Sequence, residues 1–138
     1  MGTYSFPRSE RLSSRKAIDR LFQEGKVIKA YPMNVFHMAV EGQPLPLAAL
    51  MAAPKRRLRH ATERNRVKRL MREAYRLNRH ALRDVCAEAG VQVALAFVHI
   101  GKADPDHRAV TESMRNALAR LAELYQPAID KKRNDGIE

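Results

Sequence analysis

The sequence predicts one domain in which helices and strands alternate, an α/β (α+β) chain, on three observations. Its 138 residues suffice to bury one sizeable core but not two independent ones. With 45% apolar and 30% charged residues it has a globular balance rather than a disordered one. Stretches of helical period alternate with short β-branched runs, with no internal repeat or low-complexity linker between them.

Residues 1–10 read as an arm containing Pro7. Ser13 or Ser14 then caps a helix running to about Glu24, with Ile18, Leu21 and Phe22 at helical spacing and Gly25 as its stop. In "KVIKAYPMNVFHMAV" Pro32 separates a short strand from a longer one at Met33 to Val40, and "EGQPLP" is a turn. "LAALMAA" has helix-forming residues, but it is short and bounded by prolines, so it reads as a strand. A long helix follows, capped near Thr62 and continuing towards Arg83 or beyond, the helical region closing at Gly90. "VQVALAFVHI" reads as a buried strand. A last amphipathic helix brings Val110, Met114, Leu118, Leu121 and Leu124 or Tyr125 onto one face. The expected domain is 1–126, with 127–138 a mobile C-terminal tail.

The lone Cys86 cannot form an intramolecular disulfide, the N-terminus lacks the apolar run of a secretory signal, and no stretch is long enough to span a bilayer. The expected location is the cytoplasm, with no membrane contact and no obligate protein partner evident.

Charge is more telling. The net charge is +11, and between Lys55 and Arg83 twelve Lys or Arg meet two acids, a local balance of +10, so the rest of the chain is nearly neutral. Wound as a helix, residues 64–83 place Leu77, Leu70, Ala81, Ala74, Val67, Met71 and Leu82 on one arc, with Asn78 the polar exception. The opposite arc carries Arg64, Lys68, Arg79, Arg72, Arg83, Arg76 and Arg69, with Arg66 at its edge and Glu73 the only acid. A solvated face ordinarily mixes signs, and like charges at i and i+4 repel by a few tenths of a kcal/mol. A face so short of acids points to a polyanion, and the preference for Arg over Lys suits bidentate phosphate binding. RNA, DNA or an acidic protein would satisfy that pattern alone.

Arg64-Asn65-Arg66, followed by Lys68-Arg69 and Arg72-Glu73, resembles the signature helix of the bacterial ribonuclease P protein family. "APKRRLRHATERNR" is similar to the strand end and basic loop that precede it, and Arg11-Leu12, Phe22 and Gly25 fit the first helix of the family. The resemblance extends over roughly residues 6–125; it departs at Leu58-Arg59-His60, where a glycine followed by lysine is common.

The resemblance implies a single-domain two-layer sandwich: a four-stranded mixed sheet with three main helices. In it the signature helix is a left-handed crossover between two parallel central strands, against the general rule. It also implies a protein that joins a catalytic RNA to remove 5′ leaders from precursor tRNA. Mg²⁺, held mainly by the RNA, would activate the attacking water.

Candidate catalytic-RNA contacts are Arg64, Asn65, Arg66, Lys68, Arg69 and Arg72, extended by Lys55, Arg56, Arg57 and Arg59 in the loop. The resemblance implies a second surface, a cleft for the single-stranded leader, whose matching positions are Phe22, Phe36 and Ile18, with Phe36 ranked ahead of Phe22; core burial of both rings is the competing expectation. The alternative function is a non-enzymatic ribosomal or RNA-chaperone protein, and a DNA-binding helix ranks last for want of a partner helix before residue 62.

No catalytic or metal residues are expected in the protein. His37, His60, His80, His99 and His107 lack zinc-site spacing, and His99 fits a core or strand-end position better. Asp104, Asp106 and His107 fit a turn and helix cap, and Cys86 a small buried hydrophobe.

Overall fold

A computed structural model describes residues 8–101 and 106–137, with side chains placed as far as Pro127; residues 1–7 of the arm expected over 1–10, and Asp104, lie outside it. A 3-10 turn at Arg8–Glu10 leads into α1, Arg15–Glu24. Of the two candidate serines Ser14 is the cap, its hydroxyl accepting from the Ala17 amide at 3.3 Å. At Gly25 a Cβ would stand 2.4 Å from the Leu21 carbonyl, so only glycine lets the chain turn this closely under the helix.

Strands β1 (Lys26–Ala30) and β2 (Met33–Val40) form an antiparallel hairpin around the cis Tyr31–Pro32 bond. With β3 (Leu47–Ala52) and β4 (Gln92–His99) they make one mixed sheet in the order β1-β2-β4-β3, in which β3 and β4 run parallel. The parallel pair is therefore not central as expected: β4 is, but β3 forms an edge. Part of that edge is covered by the segment before α1, where Arg11 bridges Ala49 and the Leu12 amide donates to the Ala49 carbonyl at 2.9 Å.

The crossover from β3 to β4 is two helices, α2 (Ala61–Asn78) and α3 (His80–Ala89), so the expected three main helices become four. Two residues explain the break. The Asn78 amide bonds back to the Ala74 carbonyl at 2.8 Å, in competition with the helix's own ladder. Arg79 turns its side chain into the interior. The cap also shifts, from near Thr62 to His60, which makes no side-chain capping bond, and the helix starts at Ala61. Gly90 ends α3 in the left-handed region at φ 71°, where a glycine is at no steric disadvantage.

Helix α4 spans His107–Ile137 and is capped by Asp106, whose Oδ1 accepts from the Ala109 amide at 2.8 Å. It runs through Pro127, where the sequence predicted its end. Proline removes one ladder bond, but Ala128, Lys131, Lys132 and Arg133 beyond it are good helix formers, so the backbone resumes.

Helices α2, α3 and α4 cover one face of the sheet. Val35, Leu95 and Phe97 from the strands meet Met71, Tyr75, Leu82 and Met114 there, and His99 is buried at the strand end as expected. Among the described helices the reverse face carries α1 alone. There Leu21 is sealed against Ala94 and Ala96, whose methyl groups let the helix lie close to the strand.

Candidate nucleic-acid interface

Val67, Met71, Ala74 and Tyr75 bury one side of α2, as its period requires. Asn65, Arg69 and Arg72 stand exposed on the other side, with Arg66 and Lys68 half-buried at its margins. Among the described residues no ion pair or hydrogen bond reaches the side chain of Lys68, Arg69 or Arg72. Arg76, by contrast, pairs with Glu73 one turn away, and Arg83 lies 3.0 Å from the Nδ1 of His80.

The predicted wheel fails at its C-terminal end. Arg79, expected on the basic arc, is 1% exposed and paired with Glu10, while Leu77 and Ala81 of the apolar arc face solvent. For Arg79 and Ala81 a single wheel cannot hold across the joint at Asn78, because α3 starts a new axis and resets the phase; Leu77, still in α2, lies outside the side that Val67, Met71, Ala74 and Tyr75 bury.

Arg64 has a role that the spacing did not reveal. Its Nη1 donates to the carbonyls of Leu58 at 3.0 Å and Arg59 at 2.8 Å, tying the basic loop to the first turn of α2. The loop carries Lys55, Arg56 and Arg59 exposed and Arg57 half-buried, and it is anchored by Leu58, 2% exposed in the core. Its turn closes through the Arg57 and Leu58 amides on the Pro54 carbonyl, at 3.0 and 3.3 Å. Among the described residues no non-glycine residue takes a positive φ, so this loop needs no glycine where the family commonly has one.

On the reverse face of the sheet Phe22 and Phe36 meet edge to face with centroids 4.7 Å apart, and Ile18 is half-buried nearby on α1. Phe36 joins the cluster around Leu21, whereas Phe22 keeps 40% of its surface in solvent. The groove of this face, about 470 Å³, lies along the N-terminal half of α1 and is lined by none of the three. Its walls bring Arg8, Arg11 and Arg20 around a floor that includes Met38, Ala48 and Ala94. Composition concealed these arginines, because outside residues 55–83 acids nearly balance bases; the fold gathers the three on one groove, with Glu41 also in its wall and Glu24 paired with Arg20 at 2.8 Å.

Other chemistry is sparse. Burial raises the Cys86 thiol to about 11, the behaviour of a small buried hydrophobe. His37 is held below its ordinary value by burial and then by Lys26, and its Nδ1 lies 2.9 Å from the Tyr125 hydroxyl. Among the described residues no three His, Cys, Asp or Glu gather as metal ligands, and no helix is long and apolar enough to cross a membrane.

A family model described as ribonuclease P matches residues 6–122. A "Ribonuclease P protein component" of Porphyromonas gingivalis is 40% identical over 121 residues, covering 87% of this chain and 88% of its own length. One of Chlorobaculum tepidum is 38% identical over 146 residues, covering 99% and 94%. The solved ribonuclease P protein of Thermotoga maritima superposes with a TM-score of 0.62 at 22% identity, covering 80% of this chain and 96% of that one. That of Staphylococcus aureus gives 0.61 at 14%, covering 84% and 97%.

Proposed function

From the premise that this chain belongs to the ribonuclease P protein family, matched over residues 6–122, we propose that α2 and its preceding loop hold the catalytic RNA while the reverse face of the sheet holds the leader of a precursor tRNA. The chain is the protein component of the ribonuclease P endoribonuclease and associates with its RNA subunit.

The observation that carries the reading is the unequal treatment of the arginines. The fold buries Arg79 against Glu10 and pairs Arg76 with Glu73, yet gives Lys68, Arg69 and Arg72 no acid. Those three, with Arg66 beside them and Lys55, Arg56, Arg57 and Arg59 in the loop, would neutralise RNA phosphates and release counterions, and Asn65 would add a hydrogen bond. Arg64 would contribute chiefly by holding the loop. On the reverse face the exposed ring of Phe22 offers a stacking surface, with Phe36 and Ile18 behind it. Arg8 and Arg11 would follow the leader backbone along the groove, with Arg20, which also pairs with Glu24 at 2.8 Å, beside them.

Mg²⁺ is assigned to the RNA. The donor set of both surfaces is dominated by guanidinium groups, which suit phosphate and repel a dication, so no step is routed through a metal on this chain. The cytoplasm is the proposed compartment, in keeping with a lone cysteine, Cys86, that has no partner for an intramolecular disulfide.

Rigorously RNA-free protein should leave precursor tRNA intact at any Mg²⁺ concentration, and adding the catalytic RNA should restore cleavage. Turnover by the protein alone would refute the division of labour. Copurifying ribosomal RNA in place of one RNA of ribozyme size would favour a ribosomal or chaperone role.

A further inference from the structure

Glu10 occupies the short turn between Arg8 and Arg11, both of which line the groove, yet its own side chain enters the interior and is 4% exposed. There its two carboxylate oxygens accept from Nε and Nη2 of Arg79, each at 3.0 Å. Arg79 is fixed in turn: Nη1 donates to the Arg76 carbonyl at 2.6 Å, and the guanidinium stands 5.9 Å from the centroid of the Tyr75 ring. Tyr75 packs against Phe97 of the central strand at 5.4 Å.

The segment carrying Glu10 is held at other points as well. Its turn closes through the Arg11 amide on the Arg8 carbonyl at 3.0 Å, and the bridge to Ala49 ties it to the sheet edge. Within the turn only Glu10 is buried. A buried ion pair is often no better for stability than apolar residues of the same volume, because desolvation offsets the attraction. What a two-point pair adds is placement, since both oxygens and both nitrogens must align.

We propose that Glu10 is a positioning residue for leader binding: its bidentate bond to Arg79 sets Arg8 and Arg11 in the groove wall and locks that wall to the end of α2. The two RNA-facing surfaces then sit in fixed register across the 69 residues that separate the partners in sequence. This rests on reading the groove as the leader site.

The test removes both charges together, as Glu10→Met with Arg79→Met, so that neither is left buried alone. In the free protein, hydrogen exchange at the Leu12 amide, which bonds to Ala49, should quicken by about tenfold or more while that of Leu95 in the central strand stays unchanged. In the assembled enzyme the preference for precursor over mature tRNA should fall. Arg8→Ala with Arg11→Ala should lower that preference in the native background but change it less than about twofold in the Met/Met background, because the cations are already misplaced.

Leu12 protected as in the native protein, or losses that simply add, would overturn the positioning role while leaving the leader reading intact. If Arg8→Ala with Arg11→Ala leaves the native preference untouched, the groove is not the leader site and the inference falls with it, even if Leu12 exchanges faster. Should the Met pair not fold, Glu10→Asp keeps the charge but is one methylene too short to reach both nitrogens from the same backbone. It should show the same loss of preference and the same faster Leu12 exchange, and native values for both would refute the proposal.

Discussion

The Phe22 ring presents edge to face to the Phe36 ring across the gap between α1 and β2, with their centroids 4.7 Å apart. The pair both fastens the helix to the strand and leaves one ring in solvent. The sequence put Phe36 forward because a strand can floor a cleft; of the two rings Phe36 is half-buried and Phe22 the more exposed. Phe22 therefore offers the larger surface to a base, with Phe36 behind it.

Phe22→Ala should therefore weaken binding of precursor tRNA by roughly 1 to 3 kcal/mol while leaving mature tRNA almost unaffected. Phe36→Ala should cost stability first, and a double-mutant cycle in urea should show about 0.5 to 1.5 kcal/mol of coupling between the rings. Equal weakening for both tRNAs with Phe22→Ala would return the aromatic pair to a purely structural role.

Arg69→Ala and Arg72→Ala remove exposed side chains with no partner in the described fold. Each should leave thermal stability within about 0.5 kcal/mol of native. Each should also lower the slope of log affinity for the catalytic RNA against log salt by about one. An unchanged slope would remove these arginines from the RNA interface.

Arg64→Ala should behave differently, because the loop loses the bonds to Leu58 and Arg59. We expect about 1 kcal/mol of destabilisation and a fall in salt slope greater than about one, as the loop cations lose their fixed positions. Trypsin should also cut faster at Lys55–Arg59 in the free protein. If the loop is cut no faster than in Arg69→Ala, Arg64 is only another phosphate contact.

His37 and His80 predict the pH dependence. Burial is the leading cause that lowers both, followed by Lys26 for His37 and by Arg83 and Arg79 for His80. A histidine lowered in the fold takes up its proton more readily when unfolded. Stability should thus be level above pH ~7 and fall as pH drops through the unfolded value near ~6.5, until the folded groups also titrate. Urea midpoints measured from pH 7.5 down to 5 should show this fall, and His37→Gln should shrink it without abolishing it, because His80 remains. Midpoints that rise with acidity would contradict the neutral His37 beside Tyr125.

Much of the fold could be read locally. The β-branched run before Val40, the Ser14 cap and the Gly90 stop each depend on neighbours a few residues away. The errors needed distant partners. Nothing near Arg79 distinguishes it from the arginines before it, because what buries it is a carboxylate in the N-terminal turn. The same holds for Arg64, whose spacing suits phosphate binding but whose reach to Leu58 depends on a loop path. The groove arginines were hidden because Arg8, Arg11 and Arg20 come from two elements that only the tertiary structure aligns. Beyond Pro127, proline argued for an ending that the helix-forming residues after it outweighed.

Ala94 lies beneath Leu21 and also lines the groove, so one methyl group sets two dimensions at once. Any larger side chain there would lift α1 from the sheet and narrow the channel in the same step. The calibre of the groove and the height of the helix above it are thus a single variable, and the alanine is its gauge. A related chain could be regauged for bulkier or slimmer strands by changing the sheet floor, with every arginine left where it is.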